Sequence, residues 1–177
     1  YDALLADESI DAVYVPLPPA LHYEWGKKVL LSRKHLLMEK PFTTSAAKTT
    51  ELLAIAVEHG LAVHENYMFL YHSQLAKIKE LIADGAIGDI RLYRMAFGFP
   101  KRAGSDFRYD KALGGGALLD CGGYPVRLSL ELLGDTARVM QAKLTQPKGY
   151  EVDVFGSAVL ENEDGLCAQA PIGMDNA

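Results

Sequence analysis

Apolar and polar residues in the first part of the chain form short apolar runs separated by longer segments with helical periodicity. The runs are rich in β-branched, aromatic and aliphatic residues, which is typical of buried strands. Three such runs are predicted as strands, at 11–15, 34–41 and 61–69. Helical spacing predicts helices over 1–9, 22–32 and 44–59. This alternation of helices and strands favours parallel crossovers and a doubly wound α/β sheet.

The third helix also has recognisable end signals. Thr44 or Ser45 can cap its first turn, and Gly60 follows its last residue, His59. Short polar or proline-containing segments follow the three strands: PLPP after the first, EKP after the second and ENYM after the third. Because ligands of doubly wound sheets bind outside the carboxyl ends of the strands, we expect these three segments to cluster on one rim.

The pattern changes after Ser73. An amphipathic helix is predicted over 73–88, with Gly85 and Gly88 as stop signals, and a helix from about Ala117 to Leu133. Four segments have strand character, at 89–99, 137–145, 153–162 and 165–173, with a hairpin turn at 161–165. A helix followed by several strands predicts an α+β domain with a largely antiparallel open sheet. We place the boundary between a first domain, 1–68, and a second, 69–177.

Composition narrows the class of protein. The chain has 177 residues, about half of them apolar, and a net charge of −5, which suits one or two globular domains. No apolar run is long enough to span a bilayer, and the N-terminus lacks a basic signal-peptide region, so we expect no membrane partner. The mild acidity gives no electrostatic footprint for nucleic acid. Cys121 and Cys167 form no C-x-x-C motif and are expected to be free thiols in the cytoplasm.

Both ends of the sequence look cut. The chain does not begin with Met, it starts inside a predicted helix, and it stops just after a strand-like segment. We therefore expect an internal piece of a longer protein.

Lys40 is the first candidate for chemistry. A lysine at the end of a buried strand is costly unless it is paired or faces a solvent-filled cleft, and a sheet rim is such a cleft. Pro41 keeps the preceding residue out of helical geometry and so directs how Lys40 leaves the strand. Position alone nevertheless favours a surface lysine paired locally with Glu39.

Asp120 and Tyr124 form the second candidate. They are four residues apart, so on a helix they share a face, and three glycines precede them. A phenol can donate a proton while a carboxylate orients substrate. An ordinary hydrogen-bonded pair at a helix end explains the spacing equally well, and Gly122, Gly123 and Pro125 predict a weakened or kinked helix.

Other motifs are less informative. The five histidines show no metal-ligand spacing, so no metal site is predicted. His22 stands apart from the other histidines because it follows the PLPP segment of the rim. Gly114 to Gly116 do not match the G-x-G-x-x-G nucleotide fingerprint, which is absent from these 177 residues.

Four segments together resemble the glucose-fructose oxidoreductase, inositol dehydrogenase and MocA (Gfo/Idh/MocA) family. They are VPLPPALHYE, MEKPFTTS, HENYMFLYH and DFRYDKALGGGALLDCGGYP. The resemblance covers the chain from its first strand to its end. It implies the second half of a Rossmann domain followed by part of a substrate domain. It also implies that the glycine-rich fingerprint lies upstream of Tyr1.

The resemblance implies roles for individual residues. Lys40 and Tyr124 would be catalytic, and Asp120, together with these two, would bind substrate. Tyr124 stands where many members have histidine, which resembles the subset containing nucleotide-sugar ketoreductases, glucose-fructose oxidoreductase, dihydrodiol dehydrogenases and xylose dehydrogenases. Within this subset, the segment ENYMFLYHSQ and the Lys40-to-Tyr124 spacing most resemble the ketoreductases that reduce a 3-keto group of a dTDP-linked deoxysugar. Phe107 replaces the tryptophan of the family's usual Trp-Arg pair. The residues implied in cofactor binding are Pro16, Leu17, Pro18, His22, Glu39, Lys40, Pro41, Asn66 and Arg108.

The activity implied is hydride transfer between NADP or NAD and a carbonyl or alcohol of a sugar or nucleotide-sugar. A dehydrogenase of free sugars or trans-dihydrodiols is the alternative within the same fold. A non-catalytic NAD(P)- or sugar-binding sensor or scaffold is the alternative from another class. The family often assembles through the open face of the second sheet, so a homo-oligomer, either dimer or tetramer, is expected.

Overall fold

Three parallel strands form the first sheet of the computed structural model, which describes residues 1–175. The strands are β1 (Ala12–Val15), β2 (His35–Met38) and β3 (Val63–Glu65), with β2 in the centre. The helices of this part are α1 (Asp2–Ala6), α2 (Pro19–Leu31) and α3 (Ala46–His59). The prediction of a parallel sheet with helical crossovers is confirmed.

The core of this first part lies between the sheet and helices α2 and α3. Leu30, Met38 and Leu52 are completely buried there. Gly26 makes this packing close, because a Cβ atom at this position would lie 2.6 Å from the terminal methyl group of Met38. Full burial of each large aliphatic side chain contributes about 1.5–3 kcal/mol relative to exposure, so this layer holds the strand ends rigidly.

The predicted ends of the third helix are confirmed in detail. Ser45 is the N-cap, and its hydroxyl accepts a hydrogen bond from the Lys48 N–H at 3.4 Å. Gly60 adopts φ +64°, the left-handed conformation that ends many helices. The third strand is shorter than predicted because the Tyr67 N–H turns back to the Glu65 carbonyl and a 3₁₀ turn, Met68–Tyr71, follows.

The second sheet contains five strands: β4 (Leu92–Arg94), β5 (Phe97–Gly98), β6 (Arg138–Thr145), β7 (Phe155–Glu161) and β8 (Cys167–Gly173). Strands β6, β7 and β8 are antiparallel neighbours, as predicted. Both β4 and β5 pair in parallel with β8, so the complete sheet is mixed. The single strand predicted over 89–99 is interrupted, since Met95 turns into the core between β4 and β5 while its N–H still bonds to Gln169.

Two helices of the second part differ from their predicted bounds. Helix α4 (Ser73–Ala83) ends before Gly85 and Gly88, which adopt positive φ angles in the following turns. The helix predicted over 117–133 begins as a π-helical turn, Leu118–Gly122, and continues as α5 (Gly123–Leu133). Glycines and a proline weaken the regular hydrogen-bond ladder, which agrees with the irregularity predicted there.

The two parts of the chain meet at a close backbone contact. Gly114 follows a 3₁₀ turn, Lys111–Leu113, and has φ +78°. A Cβ at Gly114 would lie 2.8 Å from the Ala20 nitrogen and 3.0 Å from the Pro19 Cβ, at the start of α2. This contact fixes the loop before the π-helical turn against the rim of the first sheet.

Replacing Gly123 by Ala tests the packing of the irregular helix. A Cβ there would lie 1.6 Å from the Tyr67 hydroxyl oxygen. Because overpacking forces backbone and side-chain shifts, we expect Gly123→Ala to lower the free energy of unfolding by about 1–3 kcal/mol in urea titrations. Gly104→Ala is the matched control, because a Cβ atom at Gly104 would have no neighbour within 4 Å. An unfolding free energy for Gly123→Ala equal to that of the control would contradict this packing.

Residues 1–175 lack two features that would indicate particular partners. No helix there is long and apolar enough to cross a membrane. The same residues contain no group of three or more His, Cys, Asp or Glu side chains placed to hold a metal ion.

Candidate active site

The loops that follow the three parallel strands meet on one rim, as predicted. The Glu39 N–H donates to the Val15 carbonyl at 3.2 Å, and the Asn66 N–H donates to the Met38 carbonyl at 2.8 Å. The side-chain amide of Asn66 donates to Glu39 Oε1 at 2.6 Å. Each loop is thus tied to its neighbour, and the PLPP, EKP and ENYM segments lie side by side.

Lys40 leaves this rim towards the second part of the chain. Its Nζ donates to Asp120 Oδ1 at 2.7 Å and to the Asp120 carbonyl at 2.8 Å. The Lys40 ammonium is bonded to Asp120 and does not form the local ion pair with Glu39. The Glu39 carboxylate accepts a hydrogen bond from the Lys40 backbone N–H, at 3.3 Å. The peptide bond from Lys40 to Pro41 is cis. Lys40 therefore connects the two parts of the chain.

Asp120 is shared between two cations. Its second oxygen, Oδ2, accepts from Arg108 Nε at 2.7 Å, and Arg108 also pairs with Asp106 at 3.2 Å. The side chains of Lys40, Asp120 and Arg108 are 16%, 11% and 22% exposed, so water screens these pairs only partly. Although burial opposes its charge, the hydrogen bonds that Arg108 donates to Asp120 and Asp106 raise the pKa of Arg108, which remains a cation.

Tyr124 lies beside this charged group in an aromatic cluster. The Lys40 Nζ is 5.2 Å from the centre of the Tyr124 ring, within cation–π range. Phe97 stacks on the ring at 4.7 Å, and Tyr67 and Phe69 contact it at 5.5 and 5.7 Å between ring centres. The structure thus brings Lys40, Asp120 and Tyr124 together, and the three aromatic neighbours fix the plane of the phenol.

The pKa values of Glu39 and Tyr67, both near the rim, are shifted from their ordinary values. Burial raises the pKa of Glu39, but hydrogen bonds from Tyr14 and Asn66 and the Lys40 N–H outweigh it, so the net pKa is lowered. Burial, reinforced by Glu65, raises the pKa of Tyr67, so its phenol stays neutral. Glu39 is therefore a fixed anion that organises the loops of the rim.

His22 is completely buried between two of the rim loops. Its Nδ1 lies 2.7 Å from the Pro41 carbonyl oxygen, and its Nε2 lies 2.6 Å from the Leu17 carbonyl oxygen. Pro18 is the N-cap of α2, and Pro16 directly follows β1. The residues predicted to bind cofactor thus lie on the rim, with two exceptions. Arg108 reaches the rim through Asp120, and the ring of His22 is buried beneath it, where it contacts the loops and not the open rim.

Sequence reasoning missed the partners of these residues. Asp106 was not singled out, although it holds Arg108, and neither were the three aromatic residues around Tyr124. The aromatic-rich segment HENYMFLYH carried a signal for two of them, Tyr67 and Phe69. Phe97 lies in the segment 89–99, whose alternation of apolar and polar residues predicts a strand. That pattern gives no indication of a functional site.

Both cysteines are free, as predicted. Burial raises the pKa of Cys121 to about 12, and a hydrogen bond to Glu161 raises the pKa of Cys167. Since only the thiolate reacts, we expect iodoacetamide at pH 8 to leave Cys121 unmodified in the native protein and to alkylate it in urea. Mass spectrometry of tryptic peptides measures both states. Rapid native labelling of Cys121 would contradict its buried position.

The fold and the rim define a two-part α/β protein in which one lysine of a parallel sheet meets an acidic and aromatic site of a second, mixed sheet. A family model described as an oxidoreductase family with an NAD-binding Rossmann fold matches residues 1–67. A model described as the GFO/IDH/MocA C-terminal domain matches residues 75–177. The chain belongs to the Gfo/Idh/MocA family, as its motifs indicated.

Several characterised proteins are similar to this chain. The dTDP-3,4-didehydro-2,6-dideoxy-alpha-D-glucose 3-reductase of Streptomyces violaceoruber is 47% identical over 178 residues, which cover 100% of this chain and 52% of the relative. D-xylose 1-dehydrogenase (NADP(+)) 2 of Haloferax volcanii is 36% identical and is covered over 54% of its length, against 99% of this chain.

A solved structure is also similar. The crystal structure of KijD10, a 3-ketoreductase from Actinomadura kijaniata in complex with NADP and TDP-benzene, matches with a TM-score of 0.95 and 42% identity. The match covers 100% of this chain and 55% of that protein. The chain therefore spans about half the length of the relatives that it matches.

Proposed function

We propose that the protein containing this chain is an NADP- or NAD-dependent oxidoreductase that reduces the 3-keto group of a nucleotide-linked deoxysugar. The observation that carries the proposal is the assembly of Lys40, Asp120 and Tyr124 at the carboxyl rim of the parallel sheet. A cation, a carboxylate and a phenol at one point provide the groups that carbonyl reduction needs. Four relatives named as 3-reductases of a dTDP-linked ketosugar support the substrate class.

The residues present fit a dinucleotide at this rim. The ammonium of Lys40 offers hydrogen-bond donors suited to ribose and carbonyl oxygens, and the loop of Pro16, Leu17 and Pro18 provides an apolar wall beside it. Asn66 and Glu39 would line the same rim. A bound nicotinamide supplies the hydride when it is present. These 177 residues contain no G-x-G-x-x-G phosphate fingerprint, so the residues named here are proposed only for the nicotinamide and ribose half of the cofactor.

The chemistry of this chain's own residues follows from their placement. Negative charge develops on the oxygen of the ketone as the carbonyl is reduced, and the Tyr124 hydroxyl donates the proton that neutralises it. The positive charge of Lys40, 5.2 Å from the Tyr124 ring, stabilises both the developing alkoxide and the tyrosinate left behind. Asp120, held by Arg108, orients Lys40 and accepts hydrogen bonds from sugar hydroxyls.

The surroundings of the three residues support this assignment of roles. Each Asp120 oxygen accepts from one cation and keeps a second lone pair, which can accept a hydrogen bond from a sugar hydroxyl. The stacked Phe97 holds the plane of the phenol without a polar contact. A positioned group costs no reorganisation when charge develops, which is the main source of electrostatic catalysis.

Two assays of the full-length protein test the proposal. NADPH and NADH oxidation is followed with a dTDP-linked 3-ketodeoxysugar, and reduction of NADP⁺ and NAD⁺ is followed with free aldoses and with trans-dihydrodiols, because a dehydrogenase oxidises these substrates. Turnover confined to the nucleotide-linked ketosugar supports the proposal. Turnover only with xylose or a dihydrodiol would support the alternative suggested by the xylose dehydrogenase of Haloferax volcanii. Tight cofactor binding without any turnover would favour a sensor or scaffold.

Asp120→Asn tests the orienting carboxylate. The amide keeps the shape of the side chain but removes the charge that pairs with Lys40 and Arg108. We expect kcat/KM for the ketosugar to fall about 100-fold, because Lys40 and the substrate lose a fixed partner. The matched control is Asp106→Asn, which loosens Arg108 but keeps the Lys40 pair. Equal losses in the two variants would show that Asp120 has no special role.

We also propose that the protein forms a homo-oligomer in the cytoplasm. Strand β6 is an edge of the open second sheet and exposes Val139 and Met140 at 60% and 61%, and an apolar strand edge of this kind can pair with another copy of the chain. Light scattering of the full-length protein after gel filtration measures its mass. A monomer at micromolar concentration would contradict the expected dimer or tetramer.

A further inference from the structure

His22 lies in a position from which it can control two loops at once. Its ring is completely buried, and both ring nitrogens face main-chain carbonyl oxygens. Carbonyl oxygens only accept, so each nitrogen is placed as a donor. A neutral imidazole satisfies one such oxygen, and an imidazolium satisfies both. The His22 ring therefore links two loops through their main-chain carbonyl groups.

The two carbonyl oxygens belong to different strand-end loops. Leu17 lies in the loop after β1, and Pro41 lies in the loop after β2, immediately after Lys40. Under the proposed function, the first loop faces the nicotinamide, and the second carries the cation of the site. The ring thus sets the distance between the cofactor wall and Lys40.

The contacts on both sides of Lys40 show how its backbone is held in place. On the N-terminal side, the Glu39 N–H is held by the Val15 carbonyl at 3.2 Å. On the C-terminal side, the Phe42 N–H is held by Glu65 Oε1 at 2.6 Å. Between these two anchors, His22 holds the carbonyl of Pro41. Loss of the His22 contact therefore leaves the Pro41 carbonyl without this partner, and the Lys40–Pro41 backbone is then held by the flanking anchors and by the Lys40 N–H bond to Glu39.

We propose that His22 is a positioning residue that holds the Leu17 loop and the Lys40–Pro41 loop in register. It contacts neither the substrate nor the reacting atoms, because it is completely buried beneath the rim. The expected changes in kcat and KM rest on the proposed function. The expected change in the mobility of the two loops does not.

The two carbonyl contacts can be removed separately. The amide nitrogen of Asn occupies the place of the imidazole Nδ1, and that of Gln occupies the place of Nε2. His22→Asn therefore places a donor at the Pro41 carbonyl and none at the Leu17 carbonyl, whereas His22→Gln does the reverse. Each variant leaves one loop tied and releases the other.

Kinetics of the full-length protein then separate the two loops. His22→Gln is expected to lower kcat about tenfold or more, because small displacements of a catalytic group are costly, with little change in KM for NADPH. His22→Asn is expected to raise KM for NADPH about tenfold with a smaller loss of kcat. The exposed His64, changed to Asn and to Gln, is the matched control, and both of its variants should behave like the parent.

Hydrogen–deuterium exchange tests the same proposal without turnover. Faster exchange is expected in the peptide covering 14–20 for His22→Asn and in the peptide covering 38–44 for His22→Gln. If the parent protein reduces no ketosugar, the proposed function fails, and the exchange pattern alone decides the role of His22. Equal effects of the two variants on both loops, reversed effects, or no effect on either loop would overturn the proposal.

Discussion

Lys40→Ala is expected to lower kcat for ketosugar reduction about 100- to 1,000-fold, the usual loss when one preorganised electrostatic group is removed. The Lys40 ammonium contacts Asp120 and also lies over the Tyr124 ring. Its loss therefore removes stabilisation of the developing alkoxide and the partner of the orienting carboxylate. Single-turnover NADPH oxidation in the full-length protein measures the effect on the chemical step.

The fold should survive this change. Asp120 keeps its pair with Arg108 at 2.7 Å, so no buried charge is left alone. We expect the melting temperature to stay close to that of the parent. The control is Lys27→Ala, which removes an exposed ion pair with Glu51 far from the rim and should leave kcat unchanged. Similar rates in Lys40→Ala and Lys27→Ala would remove Lys40 from the mechanism.

Tyr124→Phe should have an effect of comparable size. The substitution removes the proton donor but keeps the ring that stacks on Phe97 at 4.7 Å. Since general acid catalysis contributes about 10²- to 10⁴-fold, we expect kcat to fall within that range while KM for NADPH changes little. The control is Tyr71→Phe, an exposed phenol that is 74% accessible and bonds only to His64 among the described contacts.

The result for Tyr124 also separates two sources of the proton. If water or a sugar hydroxyl supplied it, Tyr124→Phe would retain most of the parent rate. Preserved turnover in this variant would therefore contradict the assignment of the phenol as general acid. Loss of turnover with an unchanged melting temperature would support it.

Much of the architecture followed from local patterns. The parallel sheet was predictable because β-branched runs alternate with amphipathic helices, and the Ser45 and Gly60 signals marked the ends of α3 correctly. The rim followed from the same reasoning, since all parallel strands end at one edge. The three strands β6, β7 and β8 were predictable from alternation and from the turn between the last two.

Contacts between distant segments were not predictable in the same way. The position of Lys40 in the sequence suggested a local partner, Glu39, whereas the structure pairs Lys40 with a residue 80 positions away. The parallel pairing of β4 and β5 with β8 is likewise set by long-range hydrogen bonds. The π-helical turn at Leu118–Gly122 depends on packing against Tyr67 and the second sheet, which single-sequence propensity does not contain.

A double-mutant cycle measures the central claim, that Lys40 and Tyr124 act as one unit in ketone reduction. Hydride-transfer rates are compared in the parent, Lys40→Ala, Tyr124→Phe and the double variant of the full-length protein. Groups that act together have strongly non-additive effects. The predicted result is a double variant about as slow as the slower single variant. A double variant whose loss equals the product of the two single losses would show that the two residues act independently, and would contradict the claim.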